Sequence, residues 1–350
     1  MPRWELVVAT GDPQGVGPEV AVEAARGVVR EDPELSVSLV GDLEVLRRAG
    51  ADDAWPLASP DGAVDAPIAR IAAPAPRGLE APPPSAEGGA AALAALEIAF
   101  ARVRADPRRA LVTAPLSKEA MRRAGVAGFD GHTAWIASRC GVGRPVMLFD
   151  APGFRVALAT VHVPLRRVGD LVTASTLARI LDVIDHDLRR RFAVAAPRIH
   201  VLGVNPHAGE GGAFGDEERV AVAPAIAAAR ARGLDVEGPF PADAYFLEGF
   251  GRRSDCVLAM YHDQGLAVTK ALAFREAVNV TLGLPLVRTS PDHGTAFALA
   301  GRGAADAAPM VSALRTAARA LRATPPGREA EIPPSARLAA EDDPRALASI

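Results

Sequence analysis

Cys256-Val257-Leu258-Ala259-Met260-Tyr261-His262-Asp263-Gln264-Gly265 is a short apolar run that ends abruptly in an imidazole, a carboxylate, an amide and a glycine. With β-branched and aromatic members, it predicts a buried strand delivering polar groups into a loop. Open α/β sheets bind ligands at that edge. Two earlier stretches repeat the pattern. Phe154-Arg155-Val156-Ala157-Leu158-Ala159-Thr160-Val161 leads to His162, and Ile199-His200-Val201-Leu202-Gly203-Val204 leads through Asn205-Pro206 to His207. Three neutral imidazoles and one open position are how a catalytic Zn²⁺ or similar divalent ion is held. There is no HxxxH or HxH spacing, so this reading rests on the shared placement of the three. His186, in Asp185-His186-Asp187, reads as a solvated residue of a charged helix, and His200 as a satisfied strand side chain.

A chain of 350 residues with 49% hydrophobic content carries a sizeable core, as two domains or one large α/β unit. Its 39 basic and 42 acidic residues leave a formal charge of -3 with no long block of either sign, which excludes an electrostatic footprint for nucleic acid or an anionic membrane. Two cysteines, Cys140 and Cys256, make neither a disulfide framework nor a CxxC knuckle and fit a reducing cytoplasm. Trp4 to Thr10 is too short and too acidic for a signal peptide. No uncharged run approaches the roughly 18 residues that span a bilayer, so the expectation is a chain neither exported nor embedded.

Strand and helix patterns alternate. A strand at 4–10 is followed by the loop Gly11-Asp12-Pro13-Gln14-Gly15-Val16-Gly17-Pro18 and a helix from Glu19 to Arg30. The loop lacks the third glycine of a dinucleotide fingerprint and the GKS or GKT of a P-loop. Further strands are expected at 35–40, 67–72 and 110–115, with helices at 43–49 and 86–104. Ser117 is the expected cap of the next helix. The proline-rich 74–84 stretch reads as an exposed connection. Runs at 145–150 and 154–161, separated by Ala151-Pro152-Gly153, read as a hairpin. Helices follow at 173–192 and at 216–232, the latter opening on three acids as its dipole prefers. A strand is expected at 198–204, another at 278–283, and the last packed helix at 307–322.

Of the remaining polar residues, Asp243 sits on a rigid Pro239-Phe240-Pro241-Ala242 turn, where an acid can orient a metal ligand or accept a proton. Ordinary turn chemistry is the alternative. Lys270, Asn279 and Arg288 punctuate an apolar region expected near the His262 loop, and Arg and Lys suit a phosphate or carboxylate. Gly131-His132-Thr133 at a helix start offers hydroxyl, imidazole and backbone donors to an anion.

Taken together, Gly11 to Glu19, Thr113-Ala114-Pro115-Leu116-Ser117-Lys118, Gly131-His132-Thr133, Asn205-Pro206-His207-Ala208-Gly209-Glu210, Gly238 to Asp243, Tyr261-His262-Asp263-Gln264-Gly265 and Asp292-His293-Gly294-Thr295-Ala296 resemble the 4-hydroxythreonine-4-phosphate dehydrogenase family of vitamin B6 biosynthesis. The resemblance covers the chain to about residue 323. It implies a homodimer of two-domain α/β subunits, similar to isocitrate and isopropylmalate dehydrogenases and not a Rossmann fold, with the active site in the interdomain cleft at the dimer interface.

The domains implied are 1–128 plus 276–323, carrying nucleotide-side loops, and 129–275, carrying the metal histidines and dimer contacts, with 324–350 a loose tail. The resemblance assigns His162, His207 and His262 to a divalent metal (Zn, Mg or Co) shared between subunits. It assigns His132, Thr133, Lys270, Asn279 and Arg288 to a small phosphorylated hydroxy amino acid. Asp292, His293, Gly294 and Thr295 resemble a loop bordering NAD or NADP. The implied reaction is NAD(P)-dependent oxidation of 4-phosphooxy-L-threonine to a β-keto acid that decarboxylates to 3-amino-2-oxopropyl phosphate, with Asp243 or Lys270 moving the proton. The alternatives are a dehydrogenase of phosphorylated threonate or erythronate or of a cyclic diol, an acyl-phosphate transferase, and a phosphometabolite-binding protein without turnover.

Overall fold

The computed structural model describes residues 4–79, 82–247, 254–324 and 332–337. In chain order it begins with β1 (Trp4–Ala9), α1 (Gly17–Glu31), β2 (Leu35–Gly41), α2 (Leu43–Arg48), β3 (Ile68–Ala72), α3 (Ala86–Arg104), β4 (Arg109–Thr113), α4 (Lys118–Arg123) and α5 (His132–Arg139). The hairpin β5 (Val146–Ala151) and β6 (Phe154–Leu158) follows, then α6 (Val168–Leu171), α7 (Ala174–Arg191), β7 (Arg198–Leu202), α8 (Ala223–Ala231), β8 (Asp235–Phe240) and α9 (Ala242–Leu247). The chain continues through β9 (Cys256–Ala259), α10 (His262–Ala273), β10 (Val278–Leu282), β11 (Arg288–Pro291) and α11 (Ala308–Ala323). Among the described residues no helix is long and apolar enough to cross a membrane.

Two compact units divide the chain, Met1–Ile136 with Leu286–Ala330, and Ala137–Pro285 with Glu331–Ile350. The α/β class expected from alternation is what forms. In the first unit the strand order is β3-β2-β1-β4-β11, all parallel. Parallel strands buried on both faces read as continuous apolar runs, and β1 and β2 are buried at every position. Helix α3 lies on β1, β2 and β4, and α11 packs on β4 and β11 and against α1.

One ionic knot is buried in that core. Arg102 on α3 gives Nε to Glu5 Oε1 at 2.7 Å and Nη1 to the Pro60 and Gly62 carbonyls at 2.7 and 2.9 Å, while Arg109 Nε reaches Glu5 Oε2 at 2.8 Å. Buried charge persists only when paired and hydrogen-bonded, as here.

The second unit has the order β10-β5-β6-β9-β7-β8. Its β10-β5-β6 part is antiparallel, while β6, β9, β7 and β8 run parallel. Contacts break at 136 and 285, whereas the sequence suggested 128 and 275. The start of α5 stays with the first unit because Trp135 packs edge-on against Phe100 of α3, ring centroids 5.5 Å apart. Strand β10 stays with the second because it pairs along its length with β5.

The expected loose tail needs correction at 332–337. Ala336 is fully buried, its carbonyl accepts the Gly143 N–H at 3.0 Å, and Arg179 Nε bonds the Ser335 carbonyl at 3.2 Å. The rest of the expected tail beyond Thr324 lies outside the described residues.

Candidate active site

In the first unit, parallel pairing sets Arg288 beside Leu111, the middle residue of β4. Its guanidinium is 3% exposed and donates to Thr113 Oγ1 at 2.8 Å and Thr133 Oγ1 at 3.4 Å. Burial pulls the Arg288 pKa down to about 10, so the group is still a cation at neutral pH. His132 opens α5, and its Nε2 is buried without a hydrogen-bond partner among the described residues. Burial first, and then the Arg288 charge, hold its pKa well below 6.5, so the imidazole is neutral. Gly131, at φ +114, precedes the helix in a conformation that favours glycine and brings no capping side chain. A buried cation, hydroxyls and helix-start N–H groups are the kinds of donor that suit an anion.

Asp292, His293, Gly294 and Thr295 form a loop that touches the Gly11–Pro18 loop of the same unit. Val16 N–H donates to the Thr295 carbonyl at 3.0 Å, and His293 turns Nδ1 to the Gly294 carbonyl at 3.0 Å while its Nε2 is buried and has no partner among the described residues. An orphaned buried nitrogen in a backbone-rich loop fits a polar ligand such as a dinucleotide.

In the second unit the three histidines follow β6, β7 and β9, which are parallel and adjacent in the sheet as β6-β9-β7. Side chains tie the strand ends together. Thr160 Oγ1 donates to the Met260 carbonyl at 2.8 Å; Gln264 accepts from Met260 N–H at 2.7 Å and donates to the Gly203 carbonyl at 2.8 Å. The rings of His162 and His262 have centroids 5.8 Å apart. His262 is not in a loop, as the sequence suggested, but is the first residue of α10, because the polar residues after it continue into an amphipathic helix.

His207 occupies left-handed backbone, φ 53, within a loop where Ala208 and Glu210 are left-handed as well. That loop is held by Glu218. Its carboxylate accepts the Val204 and Asn205 N–H groups, each at 2.8 Å, and Asn205 Nδ2 at 3.0 Å. Burial alone would raise the Glu218 pKa, but these bonds outweigh it and the net shift is downward. By sequence, the acids at 216–218 serve a helix dipole. Instead Glu217 and Glu218 turn toward Asn205, and a π-helical turn, Glu218–Val222, precedes α8. Sequence reasoning missed Glu218, and an acid at a helix start gave no signal of a partner thirteen residues earlier.

Asp263 accepts from His262 Nδ1 at 2.7 Å and Glu210 from His207 Nδ1 at 3.0 Å. An ionised carboxylate only accepts, so in the neutral form of each ring Nδ1 carries the proton and Nε2 presents its lone pair, the arrangement of metal-ligating histidines. The donor chemistry fits a divalent ion. Among the described residues, no group of three His, Cys, Asp or Glu side chains is close enough to hold a metal within this chain.

Asp243 is exposed on α9, not on a turn, and its charge adds to the upward pKa shift of His207, whose main cause is the Glu210 hydrogen bond. Lys270 lies on α10. Asn279 lies on β10 opposite Phe149, with Oδ1 buried and without a partner among the described residues. A cavity of about 580 Å³ in this unit is lined by Arg166, Asp170, Asn205, Glu217 and Tyr261 among others, beside the histidine-bearing segments.

The sequence expects His200 to be a satisfied strand side chain and His186 a solvated residue of a charged helix. His200 is buried, with Nδ1 3.1 Å from the Tyr245 hydroxyl. His186 is half-buried and bonds Asp187 at 2.9 Å, and Asp187 is buried, not solvated. Cys256 is also buried, which pushes its thiol up to about 12.

Residues 35–317 match the model of the family described as pyridoxal phosphate biosynthetic protein PdxA. The chain is 46% identical to the 4-hydroxythreonine-4-phosphate dehydrogenase of Burkholderia vietnamiensis, covering 89% of this chain and 95% of that one. It resembles the crystal structure of the Klebsiella pneumoniae protein of the same name, at 36% identity and TM-score 0.77, over 91% of this chain and 99% of that one. A terephthalate 1,2-cis-dihydrodiol dehydrogenase from Burkholderia xenovorans is similar at 29% identity and TM-score 0.63, over 90% of this chain and 98% of that one. On the strength of the family match and of relatives aligned along most of its length, the chain belongs to the pyridoxal phosphate biosynthetic protein PdxA family.

Proposed function

We propose that the chain oxidises 4-phosphooxy-L-threonine at C3 with NAD or NADP, giving a β-keto acid that loses CO₂ to form 3-amino-2-oxopropyl phosphate. The observation that carries this choice of substrate is the buried Arg288 cation bonded to Thr113 and Thr133 beside neutral His132, which suits an anionic substrate end. Remote anchoring of that end holds the reacting carbon in place. His162, His207 and His262 are the metal ligands in this reading, and Asp292, His293, Gly294 and Thr295 border the dinucleotide. When bound, the divalent ion supplies Lewis acidity at the alcohol, and the nicotinamide supplies the hydride acceptor.

Asp243 supports the metal site or takes the hydroxyl proton, with Lys270 the competing candidate for proton transfer. Lys270 and Asn279 contribute substrate contacts, and Asn279 Oδ1, buried and without a partner among the described residues, is suited to accept from a substrate donor. A homodimer that shares metal ligands and a cytoplasmic location complete the reading. A second reading, oxidation of a cyclic diol, draws on the likeness to the dihydrodiol dehydrogenase.

The test supplies 4-phosphooxy-L-threonine, phosphorylated threonate and erythronate, and a cis-dihydrodiol with NAD⁺ or NADP⁺ and Zn²⁺, Mg²⁺ or Co²⁺. Nicotinamide reduction with CO₂ release from the first substrate supports the proposal, and reduction only with the diol replaces it with the second reading. His207→Ala is expected to lose metal and activity together. Full activity with unchanged metal content in that variant would refute the three-histidine assignment.

A further inference from the structure

Lys118 violates the local rule for its position. It is the first residue of α4, after the capping Ser117, whose Oγ accepts the Ala120 N–H at 3.1 Å. A cation there opposes the helix dipole, and the helix keeps its basic pair, Arg122 and Arg123, in the last turn where the dipole favours them. The adjacent carboxylate is already engaged, since Glu119 pairs with Arg123 at 2.6 Å. Among the described residues Lys118 makes no hydrogen bond or ion pair, and its side chain is exposed.

The side chain nevertheless has a definite place. It lies over Gly131, so that a Cβ on that residue would stand 3.3 Å from Lys118 Cε and 3.9 Å from Nζ. Gly131 leads directly into His132 and Thr133, and Thr133 Oγ1 is the group Arg288 reaches. The first unit thus sets a fixed, buried guanidinium on one side of the α5 start and an unengaged ammonium against the backbone just before it. Local rules broken without structural gain are expected at functional positions.

We propose that Lys118 is a further substrate-binding residue, supplying a second cation to the phosphate group held at Thr133 and Arg288. This rests on the reading of those residues as an anion receptor. A phosphomonoester carries nearly two charges at neutral pH, and one buried guanidinium balances only one. Arg288 gives fixed direction through its fork. Lys118 gives a mobile point charge that can follow the phosphate in and out.

The test uses the full chain and Lys118→Met, which keeps the aliphatic stem and removes the charge. Inorganic phosphate binding by titration calorimetry should weaken about tenfold. The KM for the phosphorylated substrate should rise by a similar factor with kcat little changed. Lys118→Arg should restore most of the affinity, and Glu119→Gln, which alters a neighbouring charge of the same helix, should leave it unchanged. Removing a cation from the helix start should leave the melting temperature equal or slightly higher. Unchanged phosphate affinity in Lys118→Met overturns the proposal, as does equal weakening by Glu119→Gln or absence of phosphate binding by the unaltered chain. Phosphate titration needs no turnover, so a failure of the substrate assignment leaves this result readable by itself.

Discussion

Replacing Glu218 by Gln isolates what holds the His207 loop in shape. The carboxylate accepts two backbone N–H groups at 2.8 Å and Asn205 Nδ2 at 3.0 Å. Bonds to an ionised acceptor contribute about 1 kcal/mol more than neutral ones, and turning Oε2 into NH₂ sets a donor against the Asn205 donor. Together these changes remove roughly 3 kcal/mol. The loop has that much strain to release, because left-handed backbone costs about 1–2 kcal/mol per non-glycine residue and His207, Ala208 and Glu210 all adopt it. Three kcal/mol corresponds to about a hundredfold in an opening equilibrium.

Hydrogen exchange at the amides of 204–212 should therefore accelerate about a hundredfold in Glu218→Gln, with exchange in β1 and β2 unchanged. Acid should act in the same direction. The Glu218 pKa is lowered in the folded chain, so its contribution is complete above the ordinary value of 4.5 and is lost as pH falls through the lower, folded value. Unaltered exchange at 204–212 in the variant would refute the argument and assign the loop's shape to its glycines and neighbours.

Other perturbations read other parts of the structure. His132 is held neutral in the folded chain but takes a proton near pH 6.5 when unfolded, so stability should fall as pH drops below about 6.5, by at most about 1.4 kcal/mol per unit from this residue. His132→Asn should remove that component of a pH series of urea melts. Asp187→Asn weakens a buried carboxylate that accepts Gly283 N–H at 2.8 Å and pairs with Arg191 at 3.3 Å; a loss of about 3–5 kcal/mol should lower the melting temperature by roughly 10 °C. Gly89→Ala improves helix propensity by about 1 kcal/mol but sets a Cβ 2.2 Å from the Ala120 carbonyl oxygen, so the urea midpoint should fall, not rise.

The course of the chain was largely legible because its elements carry clean periods. Helix α3 has the bounds expected, Ala86–Arg104, with Ser85 capping through the Gly88 N–H, and the 145–161 hairpin forms as β5 and β6. Strands β8 and β11 were not anticipated. Their Gly238-Pro239 and Arg288 to Pro291 segments are made of turn formers and polar residues, and only neighbouring strands make them extended.

Site residues divide in the same way. His162, His207 and His262 could be placed at strand ends by pattern, and the sheet order β6-β9-β7 makes those strands neighbours. Their supports could not be read, because Gln264 to Gly203 depends on which strands become adjacent and Glu218 to Val204 on how the connection after β7 folds back. The Glu5 and Arg102 pair is hidden for the same reason: a lone acid in an apolar strand does not disclose a partner on a helix much later in the chain.

The state of Cys256 bears on how this protein withstands oxidants. The residue lies on β9, the strand that leads to His262, where a reactive sulfur would invite peroxide or competing soft metals into the segment. Raising the thiol from 9.0 to about 12 leaves about a thousandfold less thiolate at neutral pH than the ordinary group has. The sulfur thus serves as a small apolar filler, and peroxide should spare it while the fold is intact. Labelling of Cys256 then becomes a clock for opening of β9, registering each excursion that uncovers the strand behind the histidine.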